Sequence, residues 1–456
     1  MALSLNRDKT LLVEVTTLQV LKIAMPITAA LIIPNINFIT NNIFLGGLGE
    51  RELGNAGTTG VFYLIMMVSG SGLANALQSL ISRRAGEGNH LHIRVLFVQG
   101  ILLALIFSAI WILLTWFIAP SCLKPFVKPG DFTVEMDFLR IRIWGLPFLY
   151  LFQVGNSFLI GTLNSRFMMI GTIGQALINI FLDYVLIYGA FHFPALGFNG
   201  AAYASVLAEF SGMIIVYIVI FRQGLKEKFH LFNHFSFNKK VSLSILKISL
   251  PLIIQFAISL ITWLIFFLLL EQYGERAKAI SNAMRNVFGV VGVFIWALAS
   301  TTNTMVSNLI GQDLEEQVLP AIKKIMMLSI SATLIMGGVL NIFPQHFLHI
   351  FGQSPEFINE AIPVLHVVSI GMLGMSIGSI WLNAVTGTGQ TKVNLYIELV
   401  AVILYSLYIY IVMIKLKLSL AMVWTNELVY WIIIFTLAYS YMHSGKWKTK
   451  INTSIL

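Results

Sequence analysis

Cysteine occurs once in this chain, at Cys122, so neither an internal disulfide nor a thiolate metal cluster can form. Charge is nearly as scarce. Asp, Glu, Lys and Arg make up 11% of the 456 residues, where a water-soluble chain carries about a quarter. There is no Gly-rich phosphate loop closing on Lys-Ser or Lys-Thr, so ATP hydrolysis by the chain is not expected. No Asp-x-x-x-Asp pair falls inside the apolar runs, which excludes Mg²⁺-dependent prenyl transfer. The chain therefore reads as no enzyme, with no resident cofactor and no firm metal site. No small-residue cleavage site follows the first apolar run, so a retained span is expected there and not a signal peptide.

What the chain does have is apolar length: 57% of its residues are hydrophobic and the mean hydropathy is +0.83. A helix needs about 20 mostly apolar residues to cross the hydrocarbon. Twelve such runs are present, at roughly 20–46, 54–82, 95–119, 138–162, 167–190, 198–221, 243–271, 279–309, 323–344, 360–387, 393–414 and 418–442. Runs such as Leu96–Ile118 and Ile397–Ile414 do not alternate, which excludes a β-barrel. The net charge of +9 is no nucleic-acid signal, because the basic residues sit in short loops. Most lie on the side of Lys22, Arg83, Arg84, Lys239, Lys240, Lys323 and Lys324, so the positive-inside rule places both termini in the cytoplasm. Arg285 alone is left inside a helix.

The chain also says the same thing twice. Lys22-Ile23-Ala24-Met25-Pro26 returns as Lys247-Ile248-Ser249-Leu250-Pro251, a shift of 225 residues. The same shift carries Gly49-Glu50-Arg51 onto Gly274-Glu275-Arg276, Ser82 with Gly86 onto Ser307 with Gly311, and Phe126 onto Phe351. Duplicated halves with six spans each are the sequence signature of a transporter built from parallel repeats about the membrane normal. The expected division is an N-terminal six-helix lobe at 1–221, a basic cytoplasmic linker at 222–242 and a C-terminal lobe at 243–456. The linker, with His234 to Lys240 at its end, reads either as a membrane-surface segment or as a solvated connector. Trp447 is expected at the headgroups. Pro26 and Pro34 both fall in the first span and mark it as a kinked, movable helix, or else as a proline-started one.

The repeated segments resemble the multidrug and toxic compound extrusion (MATE) family, prokaryotic branch. The resemblance rests on Ser79 to Asn89 and Thr304 to Gln312 closing the second helix of each half. It rests also on Phe138-Leu139-Arg140-Ile141-Arg142, Asn179-Ile180-Phe181-Leu182-Asp183-Tyr184, Leu196 to Ala202, and Thr386 to Thr391. It implies an all-α membrane protein, with twelve transmembrane helices in two six-helix bundles forming a V around a central cavity. It implies export of amphipathic, often cationic small molecules in exchange for H⁺ or Na⁺ by alternating access. A monomer in the cell inner (cytoplasmic) membrane is expected, with the lipid bilayer and a small-molecule substrate as its partners.

Ionisable groups within the bilayer cost a few kcal/mol and are functional candidates by default. Asp183 lies inside the fifth span with Asn179 one turn earlier on the same face, a pair that can ligate Na⁺ weakly or carry a proton. The resemblance assigns this pair to the N-lobe cation site. Where the family commonly has Asp in the first helix, this chain has Asn41; a family Thr is Ala201, and a family Glu aligns near Ser259. With fewer Na⁺ ligands, proton coupling through Asp183 is the expectation. Asn37 is one turn from Asn41 and faces either the cavity or a neighbouring helix. Glu209, with no basic partner within a helical turn, is a second proton carrier, a counter-charge for substrate, or a hydrogen-bonded carboxyl. Arg285, Asn282, Gln255 and Met284 are further cavity candidates, as are Met66, Met67 and Met375, with a structural role the alternative for Arg285 and lipid-facing packing the expected fate of most of the methionines. Glu398 and Glu427, placed near helix ends, read as structural.

The alternative to efflux is a flippase for a lipid-linked oligosaccharide or lipid. Such a protein needs several basic groups in its cavity to meet a diphosphate, and Arg285 is the only deep one visible in the sequence.

Overall fold

The computed structural model describes residues 8–125, 127, 130–233, 235–351 and 354–449. Phe126, one of the repeat matches, and His234 of the linker lie outside them. The described residues form twelve long apolar helices. These are α1 Thr17–Gly46, α2 Glu50–Gly86, α3 His90–Phe117, α4 Phe132–Gly161, α5 Ser165–Tyr188 and α6 Gly197–Arg222. The second half continues with α7 Lys239–Tyr273, α8 Glu275–Gly311, α9 Glu315–Ile342, α10 Pro355–Gly387, α11 Thr391–Lys415 and α12 Leu420–His443. No strand occurs among the described residues. Each expected apolar run is matched by one of these helices.

The 225-residue period is built into the helices themselves. The bounds of α2 and α3, moved by that number, are the bounds of α8 and α9. At 37 residues, α2 and α8 extend about 55 Å at 1.5 Å per residue, well beyond the ~30 Å hydrocarbon. The Gly-Glu-Arg triplets start them. Gly49 has φ 146° and Gly274 has φ 92°, conformations that favour glycine, and Glu50 and Glu275 then sit in the first turn, where the helix dipole favours a carboxylate.

Helix pairing repeats as well. In the first half α2 packs on α3 and α4, α6 on α4 and α5; in the second α8 packs on α9 and α10, α12 on α10 and α11. Close contact divides the chain into two units, the first with residues 8–11 and 25–253 and the second with 12–24 and 254–449 of those described. The crossings fall beside Pro26 in α1 and just past Pro251 in α7. Both Pro26 and Pro34 lie in the interior of α1, which begins at Thr17, so neither starts the helix.

The first unit's core is built around Phe97, Phe158, Tyr150 and Met66, the second's around Phe266, Trp424, Met284 and Met375. Two expectations need correction here. The segment after α6 is neither a surface helix nor a solvated connector throughout, because Leu225, Phe229 and Leu231 are buried in the first unit's core. Trp447 is fully buried and donates Nε1 to the Met442 carbonyl at 2.9 Å, so it is a packed side chain and not a headgroup anchor.

Candidate functional site

Within the first unit, the fifth helix turns Asn179 and Asp183 to the interior. Apolar residues occupy the other faces of α5, with Leu177, Phe181 and Tyr184 exposed, so the two polar side chains share the one buried stripe. Asp183 is fully buried, and its carboxylate has no closely aligned donor among the described residues, Asn179 being the side chain that bears on it. Asn37 reaches across from α1 and donates Nδ2 to Asn179 Oδ1 at 2.6 Å. That bond leaves Asn37 Oδ1 and Asn179 Nδ2 unpaired beside the acid. Asn41 is half-buried one turn further along α1. A bare buried carboxylate is costly, so such a group must hold a proton or a cation. Among the described residues no group of three His, Cys, Asp or Glu stands close enough to hold a metal ion.

Of the three readings given to Glu209, the geometry fits the hydrogen-bonded carboxyl. Arg142, ten residues into α4, meets it from another helix, with Nη1 to Oε2 at 2.7 Å and Nη2 to Oε1 at 2.6 Å. Tyr63 of α2 donates its hydroxyl to both oxygens at 3.1 and 3.2 Å, and the guanidinium lies 3.7 Å over the Tyr63 ring. Both charged side chains are nearly inaccessible, at 13% and 5% exposure. The charge of Glu209 is therefore already answered, and a free counter-charge for substrate is not what this residue offers. Gly145 makes the arrangement possible, because a Cβ there would collide with Glu209 Oε2. Arg142 is also the cation whose field reaches Asp183. Sequence reasoning put Arg142 at the start of the fourth run, 138–162, and gave it no role. The signal it passed over was Arg142 and Gly145 three residues apart, a long cation beside a gap that can seat its partner.

In the second unit the expected cavity residues scatter. Met284 is fully buried in the apolar core, as are Met375 there and Met66 in the first unit, so these methionines are packing residues. Arg285 is exposed, with its guanidinium 5.6 Å over the Phe267 ring, and is not a deep charge. Asn282 is half-buried and accepts from Asn286 Nδ2 through its carbonyl at 3.0 Å. Gln255 is buried with Oε1 unpaired. Glu427 sits in the first turn of its helix and accepts from Trp431 Nε1 at 3.2 Å. Glu398 is fully buried and reaches across to α7 and α12, accepting from Ser259 Oγ at 2.5 Å and Tyr430 Oη at 2.8 Å. It caps no helix end.

Twelve spans, two equivalent halves and isolated buried acids agree with what the chain resembles. A protein of Thermotoga maritima described as a probable multidrug resistance protein NorM is 25% identical over 388 residues, covering 84% of this chain and 82% of that one. The multidrug resistance protein MdtK of Yersinia pestis is 22% identical over 385 residues, with 84% of each chain covered. Among solved structures, an outward-facing multidrug resistance MATE family transporter of the MOP superfamily superposes with a TM-score of 0.86 at 18% identity, covering 97% of this chain and 99% of that one. A MOP superfamily transporter from Pyrococcus furiosus, whose description speaks of reversed pocket polarity and a different function, gives 0.84 at 18% identity, with 96% and 98% covered. These structures share the fold. The MatE family model matches residues 26–185 and 251–411, one stretch in each half, and the chain accordingly belongs to the MatE family of multidrug-efflux membrane transporters.

Proposed function

We propose that this protein exports amphipathic, often cationic small molecules by H⁺ antiport, with Asp183 as the group that exchanges the proton. The observation that carries the reading is a fully buried carboxyl group in the first unit with no closely aligned donor among the described residues and only the Asn179 amide bearing on it. A proton satisfies that group with no further ligand. Sodium needs several oxygens at once, and the surroundings offer one acid, the unpaired Asn37 Oδ1, and Asn41 where a second acid would help. Asn179 and Asn37 orient the acid through their mutual bond. The relatives described as multidrug resistance proteins support the substrate class.

A flippase reading has less support. The buried guanidinium that could meet a diphosphate, Arg142, is held by Glu209. We place both termini on the cytoplasmic side, on the distribution of its basic loops, and expect a monomer in the cytoplasmic membrane from the family resemblance.

The test is transport of an organic cation dye in proteoliposomes under an imposed pH or Na⁺ gradient, beside Asp183→Asn. Export driven by the pH gradient and reduced to background in the variant is expected. Export that requires Na⁺ and ignores the pH gradient overturns proton coupling. Unchanged export in Asp183→Asn removes Asp183 from the role.

A further inference from the structure

We propose that the first unit carries a binding site for an anionic phospholipid, in a groove that takes one acyl chain beneath exposed lysine and arginine side chains that meet the phosphate. The site uses a face of the protein that the efflux reading leaves without a role, and it stands whichever ion is coupled.

The groove has a volume of about 400 Å³ and lies between α3, α4 and α6, with Ile101, Leu151, Met213 and Ile218 among its walls. Phe232 and Phe235, from the segment that follows α6, line it as well. The hydroxyl of Tyr217 is the one polar side-chain group in these walls, and it donates to the Leu151 carbonyl at 3.3 Å. An occupant therefore meets hydrocarbon alone. That suits an acyl chain and leaves the amides of a peptide without partners.

The segment after α6 is pinned beside the groove. Gln99, buried in α3, donates Nε2 to the Ser236 carbonyl at 2.8 Å. Its Oε1 accepts from the Asn238 amide and the Ser242 hydroxyl, both at 2.9 Å. Phe232 meets Phe97 and Phe221 edge-on, with ring centroids 5.9 and 5.8 Å apart. Phe235 lies between these anchors, on the wall of the groove and 52% exposed.

Charge decides the headgroup. Arg222, Lys226, Lys239 and Lys240 are all exposed, and none forms an ion pair among the described residues. Lys228, the other cation of the segment, is taken by Asp8 at 2.7 Å. Glu227 is the one acid between 222 and 240. Lys226 Nζ stands 5.4 Å over the ring of Phe221, which itself lines the groove, so positive charge reaches the groove's edge. Basic clusters flanking a span attract anionic headgroups. A zwitterionic lipid gains the same apolar contact without that attraction. A second copy of this chain would bring the cluster against itself, which like charges oppose.

Native mass spectrometry of the full-length protein in detergent, with phosphatidylglycerol or phosphatidylcholine of identical acyl chains, reads the bound lipid directly. Phosphatidylglycerol should be retained at least about fivefold over phosphatidylcholine, the preference expected of one basic contact. Arg222→Gln with Lys226→Gln should bring the two lipids level. Ile218→Trp, which adds bulk to the groove from a position 44% exposed, should reduce both. Equal retention by the parent overturns the proposal, as does a preference that survives the double variant. A dimer that Ile218→Trp dissolves identifies a second copy as the occupant and overturns it too. Should the double variant fail to fold, Lys226→Gln alone must lower the preference, and a preference left intact overturns the proposal equally.

Discussion

Arg142 on α4 grips Glu209 on α6 with two hydrogen bonds, at 2.7 and 2.6 Å, across 67 residues of sequence. Two charges so placed neutralise each other far from water. Removing either partner strands the other, which costs about 3–5 kcal/mol, whereas replacing both with apolar residues costs far less. Arg142→Ala and Glu209→Ala should each lower unfolding stability in detergent by that amount, and Arg142→Met with Glu209→Leu should recover most of it. Single variants as stable as the parent would show that the pair holds nothing together.

Gly145 faces the same ion pair, and a methyl group there would occupy the place of Glu209 Oε2. Gly145→Ala should destabilise by about 1–3 kcal/mol through forced displacement of the carboxylate. The check is thermal unfolding beside a control such as Gly54→Ala, where an added Cβ meets nothing within 4 Å. Equal melting of the two variants would contradict the crowding.

Asn37 and Asn179 tie α1 to α5 at 2.6 Å. Interhelical hydrogen bonds in membranes are worth about 1 kcal/mol, so Asn37→Leu should cost little stability. Its larger effect should be on export, because Asn179 beside Asp183 loses its partner. A variant with normal transport in the proteoliposome assay would show that the amide pair serves packing only.

Asp8 is held at about 2, below its ordinary 3.8, mainly by the hydrogen bond from Lys228, 2.7 Å away. A depressed carboxylate stabilises the fold above its ordinary value and loses that contribution as pH falls toward the depressed one. Hydrogen exchange around Leu225–Lys228 should therefore be insensitive to pH near neutrality and rise, after correction for intrinsic rates, on acidification below about pH 4. Asp8→Asn should show the faster exchange at neutral pH as well. An acid-induced rise of the same size in Asp8→Asn would assign it to another group.

Much of the molecule was legible in the residues. Twelve apolar runs of bilayer length, the 225-residue echo and the Gly-Glu-Arg helix starts are local or periodic signals, and each survived folding because lipid leaves the backbone little alternative to helix. Asp183 and Asn179 were legible for a related reason, since an acid in an apolar span stands out. The partner of Glu209, the exposure of Arg285 and the core position of Met284 were not legible. Whether a charge is answered, exposed or walled in depends on a helix far away in sequence, and spacing along one helix carries no record of it.

Sequence alone therefore determined that the chain is a duplicated bundle of membrane-spanning helices and which few acids it retains among apolar residues, because hydrophobicity and helical period act within single segments. Tertiary structure alone decided the fate of those acids. Glu209 met Arg142, Glu398 met Ser259 and Tyr430, and Asp183 met no closely aligned donor, because pairing is settled by which helix faces converge in space.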